Sequence, residues 1–354
     1  MQTSVSFHPI FSSVPNDEYL ARWRECIGRT GRPEDFEGVS TNKPTQIENI
    51  VLLSEEIKVP VGLRPGGEKV PCPFCATTAP KFIRGRMAYF PDEHAIRFVG
   101  HRCAQVHFGD NFKHAERTFR RQMACRSYID LWKEVAEQRP GLVQFVQPLS
   151  AIAEDLHFTI EQLDGHAPGF RSFLHKELAQ TNGELFLRSD LGMTDRLGNA
   201  VVQSKSIGKA AGLRFLWEGY SAARDLQRMK CALADSEHPL PEWHATSPEH
   251  PATDEVIRRG RMLEKALRNI LPALADVQDG IGFFSPKNVG LIHRWGNRPQ
   301  TPFAKFEFGF AGRQLLVRCR SIAGEYFANV LIPESIQRGA VPAAPVSELL
   351  KKVA

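Results

Sequence analysis

Apolar residues recur at steps of three and four in two stretches of the chain. The first, in residues 207–234, has Leu213, Leu216, Tyr220, Ala223, Leu226 and Leu233; the second, in 253–278, has Val256, Gly260, Leu263, Leu267, Ile270 and Leu274. That spacing lines one side of a helix with apolar groups and predicts two amphipathic helices. The connection between them, SEHPLPEWHATSPEHPA, contains four prolines and cannot be helical throughout. An antiparallel helical hairpin over 207–280 is the expected arrangement, with Pro272 kinking the second helix or ending it early. After Gly282 the period shifts toward two. GLIHRW, FAKFEFGF, RQLLVRC and EYFANVLI read as strands of a β-rich region over 281–334, and Phe306, Phe308 and Phe310 alternate there with Glu307 and Gly309. The remainder, 335–354, is rich in Pro and Ala and is expected to be a mobile tail with one or two terminal helical turns.

Upstream the pattern is weaker. In the N-terminal segment 1–67, a short helix is expected around Glu18–Ile27 with Asn16 or Asp17 as its cap, then a strand or two between 50 and 64, broken at Pro60 and Pro65. A helix starting at Asp110 is expected to run to Gln138 and stop at Pro140-Gly141. Residues 141–206 form a mixed α/β connector, with LSAIAEDL and FRSFLHKELAQ at helical spacing, ELFLRS as a strand and a turn at Thr194–Asn199. Within it, LSAIAEDLHFTIEQLDG has spacing like a helix-turn-helix. Its second helix carries Glu161 and Asp164 and no Lys or Arg, which is wrong for a helix facing phosphates, so the segment reads as core.

Composition narrows the class. The 354 residues are 42% hydrophobic and 24% charged, and no apolar run approaches the 18 or so residues of a membrane span, so no membrane partner is expected. The N-terminus lacks a basic start followed by an apolar core. Seven cysteines scattered from Cys26 to Cys319 do not look like a disulfide framework and fit a reducing cytoplasm. The net charge of +5 is mild but localised: residues 81–126 hold ten lysines and arginines against four acids.

The chemistry sits beside that charge. VPCPFCATTAP places Cys72 and Cys75 two residues apart, a gap that lets a tight turn aim two thiolates at one ion. In GHRCAQVHFGD, Cys103 and His107 supply a second pair, and KFIRGRMAYF and HAIRFVGH read as a hairpin between the pairs around Pro91-Asp92. A knuckle, a hairpin and a second ligand pair leading toward a helix resembles the zinc-ribbon or treble-clef class of zinc modules. The resemblance covers about 40 residues, 68–110, within a segment 68–140 that includes the following helix. It departs from the common ribbon in having Cys-x-x-x-His where a second Cys-x-x-Cys is usual. His101 is the alternative to His107, since on a strand it would share a side with Cys103. Three thiolates and a histidine leave no open position on zinc, so the implied ion, Zn2+, is structural.

On the helix after the site, Lys113, Arg117, Arg120 and Arg121 share one face, with Phe112, Ala115 and Phe119 on another. Together with Arg84, Arg86 and Arg97 of the hairpin they form a candidate surface for DNA or RNA; the alternative is an ordinary solvated face. Catalytic motifs are missing. Ser206-Ile207-Gly208-Lys209-Ala210 lacks the hydroxyl residue and upstream glycine of a phosphate loop, and Glu56-Ile57-Lys58 lacks the upstream Asp of a nuclease strand. The sequence therefore predicts an α+β protein with a zinc-ribbon-like β-hairpin module, a helical hairpin and a C-terminal antiparallel β region. Its expected role is zinc-stabilised, non-catalytic binding of nucleic acid or nucleoprotein. The competing expectation is an assembly subunit that docks a protein partner through helices 207–234 and 253–278, with zinc only bracing the fold.

Overall fold

The computed structural model describes residues 11–45, 49–194, 200–244, 250–298, 301–321, 324–344 and 348–353. It is a mixed α and β chain with antiparallel sheets, divided into two compact units: Met1–Tyr128 with Pro241–Ile257, and Ile129–Leu240 with Arg258–Ala354. Among the described residues, no helix is long and apolar enough to cross a membrane.

In the first unit, helix α1 (Asp17–Thr30) starts where Asn16 accepts a hydrogen bond from the Tyr19 N–H at 2.9 Å, the expected cap. Leu20, Trp23 and Ile27 line its buried side. Short strands β1 (Val51–Leu52) and β2 (Ile57–Lys58) precede a knuckle formed by β3 (Val70–Cys72) and β4 (Ala76–Phe82). The expected hairpin follows as β5 (Arg84–Phe90) and β6 (Ala95–Gly100), with β1 and β2 paired along the other edge of β5. The pleat gives this sheet two dry faces. Met87, Tyr89, Ile96 and Phe98 pack with α1 residues, whereas Ala88, Phe90 and Val99 pack with Phe108, Phe112 and Phe119 from the next helices. Those helices are α2 (His101–Phe108) and α3 (Asp110–His166).

Helix α3 overturns the expected stop at Pro140-Gly141 and runs through Pro140 and Pro148. A proline inside a helix costs about 3 kcal/mol or more. Leu142, Phe145, Val146 and Leu149 are all buried around the two prolines, at roughly 1.5–3 kcal/mol each, so burial outweighs the penalty.

From Ile129 on, α3 belongs to the second unit, whose core it shares with α4 (Phe170–Ala179). Strands β7 (Glu184–Thr194) and β8 (Ala200–Lys209) form an antiparallel pair; the expected turn between them, past Thr194, lies outside the described residues. After a short turn of helix, α5 (Leu213–Leu216), comes α6 (Ala222–Asp235). The second predicted helix divides at Asn269 into α7 (Thr253–Arg268) and α8 (Ile270–Phe283), and α6 packs against α8. The expected hairpin between 207–234 and 253–278 is corrected accordingly. Pro272 explains the division: it sits in the first turn of α8, where a missing N–H costs nothing.

GLIHRW is helical and not a strand. Ser285 caps α9 (Pro286–Gly296) by accepting from the Asn288 N–H, and Pro286 takes the first helical position. The other three predicted strands are β9 (Phe303–Ala311), β10 (Gln314–Ser321) and β11 (Gly324–Leu331), an antiparallel sheet in the order β11-β10-β9. Phe306 and Phe308 are buried, as their alternation predicts, whereas Phe310, the third residue of that row, is exposed near the end of β9. The terminal helical turns expected of the tail are present as α11 (Glu348–Val353), after a further short helix α10 (Glu334–Arg338), but Leu349 and Leu350 of α11 are buried in this unit's core.

Two glycines of α9 test the packing. A Cβ on Gly296 would lie 2.2 Å from the Phe306 ring, while one on Gly290 would meet nothing within 4 Å. Gly296→Ala is expected to cost about 1–3 kcal/mol of stability, and Gly290→Ala to add about 0.5–1 kcal/mol from helix propensity. Urea denaturation of the two variants checks the opposite signs.

Candidate metal centre and its basic margin

Strand β3 delivers Cys72, fully buried, and the turn Pro73–Cys75 brings Cys75 round to an exposed position. Phe74, between them, is buried against Phe90 and Phe108, with ring centroids 6.4 and 5.2 Å away, which ties the knuckle to the core. Gly85 and Gly100 face each other across β5 and β6, and a Cβ on either would come within 2.8 Å of the Phe82 ring. Their bareness lets β4 lie close to the hairpin. Cys103 enters from the first turn of α2. The three sulfurs lie within 4.8 Å of one another, and Cys75 and Cys103 are 3.3 Å apart. A tetrahedral zinc with bonds of about 2.3 Å would hold its sulfurs about 3.8 Å apart, so the donors fit such an ion with little movement. Burial, then hydrogen bonding and repulsion from Cys75 and Cys72, push the Cys103 thiol up to about 12. A divalent cation bound here would favour the thiolate form of Cys103.

The cluster able to hold a metal therefore contains three of the four expected ligands. His107 follows Cys103 by one helical turn and so shares its side of α2, with its ring stacked on Phe74 at 5.2 Å, outside the group of three. His101 opens α2 and does not lie on a strand, which places it across the helix from Cys103. Its ring meets Phe112 edge-on at 5.5 Å, and its Nδ1 is buried without a hydrogen-bond partner among the described residues.

The seven basic residues separate into two groups. Arg86 and Arg97 are corrected from surface contacts to buried ones, 8% and 3% exposed. Arg97 pairs with Glu93, donates to the Asn42 carbonyl at 2.9 Å and lies over the Phe90 ring; Arg86 pairs with Glu116 at 2.9 Å. Neither can meet a phosphate. Arg84, Lys113, Arg117 and Arg120 are exposed, and Arg121 is half-buried. Lys113 pairs with Asp110, Arg120 with Glu116 and Arg121 with Asp254, in contacts open enough to water to contribute little.

A further cation, Lys58, is brought in by the fold. The β2–β5 register sets Lys58 directly opposite Arg84. Both are exposed, and neither has an ion-pair partner among the described residues. Like charges opposite each other in a ladder are destabilising. Arg84 shares its side of β5 with Arg86, whose partner Glu116 also holds Arg120. Sequence reading missed Lys58 because its neighbour is 26 residues away and only the register joins them. Comparison of the chain with protein-family models, curated proteins and solved structures finds no match.

Proposed function

We propose that the first unit is a zinc-stabilised module of treble-clef type that binds nucleic acid through its phosphates, along a margin formed by Lys58, Arg84, Arg117 and Arg120. Cys72, Cys75 and Cys103 hold the ion, and His107, on the same side of α2 as Cys103, completes it by turning from Phe74. With four protein donors, zinc keeps no position for water and its role is to fix α2 against the knuckle. The observation that carries the reading is the unpaired like-charge couple Lys58–Arg84. It costs folding energy that an anionic partner would return, and Arg117, exposed and without an ion-pair partner among the described residues, extends the same charge along α3.

Binding of labelled DNA and RNA by the full chain, measured across salt concentrations, tests it. The logarithm of affinity is expected to fall linearly with the logarithm of salt. Lys58→Glu, Arg84→Glu and Arg120→Glu together should abolish binding while zinc content and melting temperature hold. Each contact removed singly should flatten the slope by about 0.9 on duplex or about 0.7 on single strands. Wild-type protein that binds neither nucleic acid even at low salt would overturn the reading and favour a subunit that docks protein instead.

A further inference from the structure

Resting on that reading, we infer that α2 is a recognition helix for duplex DNA, its outer face entering the major groove and reading base edges with Arg102, Gln105 and Val106. The inner side of the helix is committed: Ala104 and Phe108 are buried, and Cys103 and His107 face the knuckle. The outer side carries Arg102, Gln105 and Val106 at i, i+3 and i+4, all exposed. Neither the Arg102 guanidinium nor the Gln105 amide has a partner among the described residues. Val106 is 81% exposed, the most open large apolar side chain among the described residues, and nothing in the unit covers it.

These side chains match the donor, acceptor and methyl pattern of the major groove. Arginine forks onto guanine, glutamine onto adenine, and an exposed aliphatic group meets the thymine methyl. Charge agrees with this. Helix α2 contains no acid, and the sole acid from there to Ala115, Asp110, is held by Lys113 at 2.9 Å. Shape agrees too. With its side chains an α-helix is about 10–12 Å across, which a major groove about 12 Å wide admits. Gly109, with φ 52° and ψ −117°, turns the chain sharply into α3, so the groove-facing helix ends in a fixed corner with Lys113 and Arg117 following on α3. Duplex RNA, whose major groove is too deep and narrow for side chains to read, is disfavoured.

Selection of bound sequences from a randomised duplex DNA library by the full zinc-loaded chain tests this. Wild-type protein is expected to enrich a motif containing a G and an A. Arg102→Lys keeps the charge but loses the fork, so its salt slope should stay unchanged while preference at the G falls roughly 5- to 150-fold. Gln105→Ala should relax the A in the same way, and unchanged zinc content and melting temperature confirm folding in both. Binding without any sequence preference, an unchanged motif in Arg102→Lys, or equal competition by duplex RNA would each overturn the inference while leaving phosphate binding standing. Loss of all nucleic-acid binding by the wild type would remove both.

Discussion

Purified without added zinc, the chain is expected to carry about one ion per molecule, and Cys72→Ser to carry almost none. The reason is geometric. Cys72 is the buried member of the sulfur cluster and the residue from which the knuckle turns, so its loss removes a donor and the anchor together. Zinc binding at such sites is itself folding energy, of order 10 kcal/mol or more in small modules. The knuckle itself is a two-stranded pair, three-residue β3 against β4 with an irregular register, and an isolated pair of this kind is marginal in water. The variant should lose protection from proteolysis around the knuckle and in α2, while Cys231→Ser, exposed on α6, leaves metal content unchanged. Metal analysis of the three proteins decides it, and an ion content near zero in the wild type would sink the site.

Glu116→Ala is expected to cost about 3–5 kcal/mol. It strands the Arg86 guanidinium, which is nine-tenths buried and whose Nε has no partner among the described residues; its other bond, to the Ser54 carbonyl, is long at 3.4 Å. Removing one partner of a buried pair leaves an uncompensated charge, which is far more costly than losing an exposed pair. The same carboxylate's bond to Arg120 contributes little, because that arginine is 72% exposed. Replacing both residues with apolar ones, Arg86→Met with Glu116→Leu, should recover most of the loss. Glu116→Gln keeps an acceptor and should cost less. It also removes a negative charge that Arg120 of the proposed margin contacts, so it should lower stability while raising affinity for DNA at low salt. Urea denaturation with zinc present and a binding titration give the two readouts. A neutral effect of Glu116→Ala on stability would contradict the buried pairing.

Features built from neighbours in the chain were legible in the sequence. The cap at Asn16, the Cys72–Cys75 turn, the β5–β6 hairpin and the alternation of Phe306 and Phe308 each depend on residues a few positions apart, whose backbone geometry is set by their own chemistry. The concentration of charge in 81–126 was visible for the same reason. Only the tertiary structure decided which of those charges face water. Arg86 and Arg97 read as surface residues until the fold brought Glu116 against the first and buried the second beside its near neighbour Glu93. Lys58 meets Arg84 through strand register alone. Helix α3 passes through Pro140 and Pro148 because distant apolar partners bury its flanks, and α6 finds α8 because the break at Asn269 and the tolerance of a first-turn proline start a new helix there. Periodicity reports which side of an element is apolar; which element covers that side, and which charge is drawn in with it, is settled by burial shared between segments far apart in the chain.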